Sequence, residues 1–372
     1  MTTPTTLPDK LVIAELRGRV GCITLNRPKA LNALSLDMIR SLTAALRRWA
    51  DDPMVLAVVV RGTGKEGPFG AFCAGGDIRF FYQAALAGDT ALEDFFTEEY
   101  TLNHLIHTYA KPYIAFMDGV VMGGGMGISQ GASLRVVTER SRLAMPETGI
   151  GLFPDVGGGY FLSRLPGRLG EYLALTGRVL SGAEALAVGL ADAHMDSGRL
   201  AGLWESLGQT PYESGDAVQR WCENHTQKTP PRADAVGTVA RAQIDAVFSL
   251  DSVPAIVAAL DAAPDDWSRA TAATLRQRSP LMLHVVLEQI RRARVLGLAD
   301  NLRMERGLVH RCFNLRPGAA SETVEGIRAL AIDKDHTPHW NPASLNAVTP
   351  AQVMAFFDSP WAAEAHPLAA LA

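Results

Sequence analysis

Apolar residues change their rhythm along this chain, and the changes mark its elements. Residues 11–16 and 21–25 are short apolar runs separated by Arg17-Gly18-Arg19, a pattern that predicts a hairpin. Asn26-Arg27-Pro28-Lys29 predicts a turn. From Ser35 the period lengthens. Leu36, Ile39, Leu42, Leu46 and Trp49 share one helical face, with Ser35 as N-cap and Asp51-Asp52-Pro53 as the stop. Residues 55–60 are nearly all apolar, as expected of a strand buried on both faces. A glycine-rich loop at 62–70 follows, and helical patterns occupy 78–86 and 93–109.

The next stretch, 113–165, is denser. An apolar run, Tyr113–Met117, is broken by Asp118-Gly119 and followed by Gly123-Gly124-Gly125 and a short helix-compatible segment. A strand-like run, Leu134-Arg135-Val136-Val137-Thr138, comes after it. Residues 169–175 and Gly182–Val188 predict two more short helices. Beyond about residue 205 strand-like runs disappear. Helical patterns recur at 214–226, 233–248, 252–262, 266–278, 281–297 and 300–313, divided by Pro230-Pro231, Pro254, Pro264 and Pro280. A last ordered piece spans 321–340, and the tail past Pro360 is expected to be loosely held. The first half thus alternates strands and helices like a coiled series of small units, without a clear sequence repeat. The expected division is a catalytic core over 1–205 and a mainly helical region over 206–372 that completes the fold.

Composition narrows the class. The 372 residues suffice for one large domain or two ordinary ones. With 48% hydrophobic and 20% charged residues the chain reads as soluble and globular. A formal charge of −4 with scattered Lys and Arg gives no nucleic-acid surface. The four cysteines are far apart with no CxxC pair, which disfavours a disulfide framework or cysteine zinc site and points to a reducing compartment. The N-terminus lacks the pattern of a secretory signal, and no run of about 18 apolar residues predicts a membrane span. The cytoplasm is the expected location.

Two features of 113–165 suggest chemistry. Three glycines between a strand and a helix let backbone approach a ligand, and amides at a helix start are unpaired. Together they suit a developing oxyanion. Downstream, Glu147 follows Met145-Pro146 and Asp155 follows Phe153-Pro154, each among apolar neighbours and glycines. Partly buried carboxylates are candidate bases or hydrogen-bond acceptors. Other motifs fail. Residues 62–67 lack P-loop spacing, and Gln130 stands where a dinucleotide fingerprint begun at Gly125 and Gly127 needs glycine. Residues 127–131 match GxSxG, but Ser129 falls inside the expected helix rather than on a strand-to-helix turn. His104 and His107 are three apart with no third ligand in view, and Cys73 has no evident base.

Several longer segments carry a resemblance. They are ITLNRPKALNAL (23–34), AFCAGGDIR (71–79), EEY (98–100), KPYIAFMDGVVMGGGMG (111–127), AMPETGIGLFPDVGGGYFLSRL (144–165) and EGIRALAIDKDHTPHW (325–340). Through them the chain resembles the crotonase (enoyl-CoA hydratase/isomerase) superfamily over most of 11–190 and 321–345. The segments 144–165 and 325–340 look most like the branch whose members hydrolyse the thioester of 3-hydroxyisobutyryl-CoA in valine breakdown. The resemblance implies an α/β fold, a crotonase-like spiral of ββα units with a helical C-terminal region. It implies that the amides of Ala74 and Gly124 form an oxyanion hole, that Glu147 is the catalytic carboxylate, and that Asp155 binds the 3-hydroxyl. Glu99 falls at a substrate-contacting position. The substrate would be an acyl-CoA, with no cofactor beyond the CoA it carries, no nucleic acid or membrane partner, and possible homo-oligomerisation. Arg27 and Lys29 are the guesses for CoA phosphate contacts. The first of two glutamates used by hydratases of the superfamily would fall at Gly127, which argues against hydration. Hydration or isomerisation of an enoyl-CoA, and non-catalytic acyl-CoA binding, are the rivals.

Overall fold

A computed structural model describes residues 10–228 and 238–372. Among the described residues nine strands form two sheets. They are β1 (Val12–Arg17), β2 (Val20–Leu25), β3 (Ala57–Gly62), β4 (Tyr113–Met117), β5 (Val120–Met122), β6 (Leu134–Val137), β7 (Arg142–Ala144), β8 (Leu180–Ser181) and β9 (Ala193–His194). The large sheet has the order β1-β2-β3-β4-β6-β9, and the small one β5-β7-β8. The expected hairpin is present, β1 antiparallel to β2 with Val12 opposite Leu25. The remaining pairs of the large sheet are parallel. The apolar run after Pro53 became β3, the third strand, flanked on each edge and with Ala57–Val60 buried.

Strands leave the large sheet in a repeated way. After β4 the chain turns at Asp118-Gly119 and enters the small sheet as β5; after β6 it turns again and enters as β7. Buried Asp118 holds the second turn, accepting from Thr138 Oγ1 at 2.6 Å and pairing with Arg140. These turns build the repeated ββα units expected from the sequence. They also place the chemistry. Because β5 and β7 run parallel with Met122 opposite Ala144, the residues that follow each strand, Gly123-Gly124 and Met145-Pro146-Glu147, emerge side by side.

The helices form where the apolar period lengthened. Leu36–Ala50 is capped by Ser35, whose hydroxyl accepts from the Met38 amide. Pro280–Ala293 begins with Pro at its first position behind a Ser279 cap. In the C-terminal half, Pro280–Ala293 packs on Gly158–Ser163 and Leu169–Thr176, and Leu298–Asn314 packs on Ala91–His107. One apolar core therefore joins residues from both halves, from Ile23 and Leu34 to Leu308 and Ile327. The Pro230-Pro231 break and the first residues of the 233–248 pattern lie outside the described residues.

The tail departs from expectation. It is tied down: Leu368 is buried, the Arg303 guanidinium donates to the carbonyls of Leu368, Ala369 and Leu371, and the His104 ring meets the Ala372 carbonyl at 3.0 Å. An arginine more than sixty residues upstream supplies donors that no local pattern announces.

Candidate active site

A cavity of about 360 Å³ opens where β5 and β7 end. Ala74, Glu99, Gly124, Glu147 and Asp155, the five residues expected from the sequence, all line it. Its walls are otherwise mostly apolar, with Ile78, Phe81, Phe96, Ile150 and Leu152 among them. A small, largely apolar cavity with a few convergent polar groups is the usual form of a small-molecule site.

The glycine turn sets its geometry. Gly123 has φ +48 and ψ −120, a backbone conformation open to glycine. A Cβ on Gly123 would lie 3.0 Å from Glu147 Oε1, and one on Gly124 would lie 2.6 Å from Glu99 Oε1. Two carboxyl groups from distant segments thus close on the same turn. Glu147 opens a single 3-10 turn, Glu147–Ile150, and Glu99 comes from the long helix Ala91–His107. Asp155 accepts from the buried Tyr100 hydroxyl through Oδ2 at 2.8 Å. Glu99 Oε1 and Glu147 Oε2 have no hydrogen-bond partner among the described residues. A buried acceptor without a donor calls for one from a ligand or water.

The amide bookkeeping corrects one assignment. Ala74 was expected to donate to the oxyanion, but its N–H is already given to the Leu31 carbonyl at 3.0 Å. The amides of Gly75, Gly76 and Gly124 have no acceptor among the described residues. Leu34 and Asp77 amides bond to Gly75 and Leu34 carbonyls at 2.8 and 3.0 Å, leaving the Gly76 N–H between them unspent. The carbonyl carbon of Gly75, bonded to that nitrogen, would lie 3.4 Å from a Cβ on Gly124. The Ala74 amide is therefore spent, whereas the Gly76 amide beside Gly124 is free among the described residues.

Electrostatics set the acids apart. Burial, then the charges of Asp155 and Glu147, raise Glu99 well above the ordinary carboxyl range. Burial, then Asp155, does the same to Glu147, and burial raises Asp155 despite the Tyr100 bond. Buried Glu305, just behind the cavity wall, is pushed up to about 8 by loss of water. An acid whose folded pKa is raised binds its proton more tightly in the folded state, so stability falls as pH rises through that value. Buried His107, held down to about 4, acts in the opposite sense only below its ordinary 6.5. Between pH 6.5 and about 8 the acids act unopposed by that histidine, and the urea midpoint is expected to decline steadily across this window. A flat or rising midpoint there would show these carboxyls to be ordinary.

Other candidates resolve differently. Ser129 is buried in the helix Gly124–Gln130 and donates to the Gly125 carbonyl at 2.8 Å, which excludes a nucleophile elbow. Cys73 is buried with its thiol pushed up to about 12 by burial, the opposite of an activated nucleophile. Arg27 is held by Asp77 and the Ala33 carbonyl at 2.8 and 3.0 Å, while Lys29 is exposed. Among the described residues no group of three His, Cys, Asp or Glu could hold a metal ion.

Two lining residues from the helical region were missed. Arg278 gives Nε and Nη2 to the Thr176 carbonyl at 3.1 and 2.7 Å, and it has no ion-pair partner among the described residues. Leu330, 45% exposed, sits at the rim on a widened π turn, Arg328–Ile332. Arg328 braces that turn through Glu325, Asp333 and Asp335 at 2.7–2.8 Å. The acidic motif after Ile332 was visible in the sequence; its role as ligands for one guanidinium was not.

A family model for enoyl-CoA hydratase/isomerase matches residues 20–357, so the chain belongs to that family, the crotonase superfamily. Within it, the chain is 41% identical to a protein named 3-hydroxyisobutyryl-CoA hydrolase, mitochondrial, from Rattus norvegicus, over 94% of this chain and 89% of that one. It is 40% identical to a probable 3-hydroxyisobutyryl-CoA hydrolase 3 from Arabidopsis thaliana, over 93% and 91%. Among solved structures it is similar to one titled carnitinyl-CoA dehydratase, from Mycobacterium thermoresistibile. That likeness has TM-score 0.84 and 38% identity, with 94% and 96% of the chains covered. It is also similar to one titled enoyl-CoA hydratase, from Rhodobacter sphaeroides, with TM-score 0.82, 34% identity and 94% and 98% covered. Among the described residues no helix is long and apolar enough to cross a membrane.

Proposed function

We propose that this chain hydrolyses the thioester of a short 3-hydroxyacyl-CoA, 3-hydroxyisobutyryl-CoA in valine breakdown, releasing the hydroxy acid and CoA. It acts in the cytoplasm, with no cofactor beyond the CoA of its substrate. The observation that carries this is the meeting of unpaired Gly124 and Gly76 amides with the Glu147 carboxyl at one glycine turn. Thioester cleavage puts negative charge on the carbonyl oxygen, and two fixed N–H donors stabilise it, each worth about 3 kcal/mol. Glu147, once ionised, either takes a proton from water or attacks the acyl carbon itself. Asp155 sits on the same cavity and receives the 3-hydroxyl. The names of the hydrolase relatives support the substrate choice.

A thiol-release screen over short acyl-CoAs, with and without a 3-hydroxyl, tests this. Asp155→Asn is expected to cost about 10- to 100-fold in kcat/KM on the hydroxylated thioester, the scale of a charge-assisted hydrogen bond, and much less on the plain one. Equal losses would remove Asp155 from hydroxyl recognition.

One observation favours a second function. Glu147 lies against Gly123 and Glu99 against Gly124, and hydration of an enoyl-CoA needs two acids about one double bond. The titles of the two solved relatives point the same way. An absorbance change on an enoyl-CoA without thiol release would establish hydration and end the hydrolase assignment.

A further inference from the structure

Asp155 reaches the cavity from an unusual turn. Val156 has φ +54 and Gly157 φ +88, two successive left-handed residues. For a β-branched side chain this is a strained conformation that persists only where the surroundings enforce it. The enforcing groups come from the C-terminal helices. Glu305, fully buried on Leu298–Asn314, accepts from the Gly157 amide through Oε2 at 2.7 Å and from the Gly159 amide through Oε1 at 2.8 Å. Asn301 adds a donor to Oε1 at 2.8 Å. On the other side of Asp155, buried Gln289 gives its amide to the Pro154 carbonyl at 2.7 Å and reaches Glu305 at 3.3 Å.

Granted the hydrolase assignment above, we propose that Glu305 is the positioning residue of the site, fixing Asp155 for the 3-hydroxyl by holding the next two glycine amides in a fork. Every hydrogen bond to its carboxyl comes from a donor, so the place calls for two oxygens that accept. Asp155 is gripped on both flanks, at Pro154 and at Gly157, and its carboxyl has little freedom left. A group that must accept one hydroxyl and exclude its absence needs this fixity, because misplacement by about 1 Å can cost about a hundredfold. Through Glu305 the helical region thereby contributes to selectivity by a residue that does not itself line the cavity.

The test is the ratio of kcat/KM for 3-hydroxyisobutyryl-CoA over isobutyryl-CoA, read by thiol release. It is measured in the wild type, Glu305→Gln, Asp155→Asn and the double variant, beside the thermal midpoint of each. Glu305→Gln keeps the volume but sets an amide donor against a glycine donor. The expected result is a drop in the ratio of about tenfold or more with a smaller loss on the plain thioester. The double variant is expected to be no less selective than Asp155→Asn, since both changes act through one carboxyl. Equal loss on both thioesters, or multiplied losses in the double variant, would overturn the positioning role. If Glu305→Gln yields no folded protein, Gln289→Leu carries the test, with the same drop expected and an unchanged ratio overturning the role. A wild type that releases no thiol from either thioester overturns the hydrolase assignment instead; a selective wild type with equally selective variants overturns the clamp alone.

Discussion

Glu147→Gln is expected to lower thiol release by about 10²- to 10⁴-fold, the range lost with a general base, while the protein folds and binds acyl-CoA much as before. Glutamine keeps the shape and leaves an oxygen beside Gly123, where Glu147 Oε1 now lies. It removes the charge and the proton-accepting power. The fold has little reason to object, since burial already holds the Glu147 carboxyl toward its neutral form. Stability is therefore expected to hold or rise, and a loss of rate cannot be blamed on unfolding. Single-turnover thiol release gives the rate, and calorimetry with a non-hydrolysable thioether analogue gives the binding. Turnover within threefold of wild type would take Glu147 out of the mechanism. The same burial couples activity and stability in opposite senses. Chemistry needs ionised Glu147 and grows as pH rises, while the folded state favours the protonated acids and weakens over the same range.

The sequence made this site visible where chemistry and local context disagreed. Glu147 and Asp155 stood out as acids among apolar neighbours on Pro/Gly segments, and the structure buries both in one cavity. The first-half elements were visible because their periods are local: the hairpin of β1 and β2, the capped helix after Ser35, the buried β3. What escaped depends on contacts remote in the chain. Ala74 was chosen over Gly76 because three consecutive amides look alike until the Leu31 carbonyl takes one of them. Arg278 and Leu330 reach the cavity from the helical region, far along the chain from the glycine turn they approach. Glu305 left a trace. It sits on the apolar face of its helix with Leu302, Leu308 and Val309, all buried, and an acid on such a face has to find donors.

Gly127→Glu, which would restore the acid a hydratase of the superfamily carries there, is expected to destabilise the fold by at least about 3 kcal/mol and to confer no hydration. A Cβ at Gly127 would lie 2.6 Å from the Val156 Cβ and 2.8 Å from Asn103 Nδ2, well inside contact distance before any carboxyl is added. Neither neighbour can withdraw easily. Asn103 is fully buried in the long helix, and Val156 is held in its left-handed conformation by the turn that Glu305 grips. The new charge would also arrive against Val156, the residue next to buried Asp155, which raises the cost of ionising either acid. Urea unfolding measures the loss, and crotonyl-CoA absorbance measures hydration. Val156→Gly in the same chain removes the shorter of the two clashes and the strained φ together, so the double variant is expected to recover part of the stability if sterics are the cause. A single variant as stable as the wild type, or one that hydrates crotonyl-CoA, would mean the space at residue 127 is not what separates this chain from the hydratases it resembles in shape.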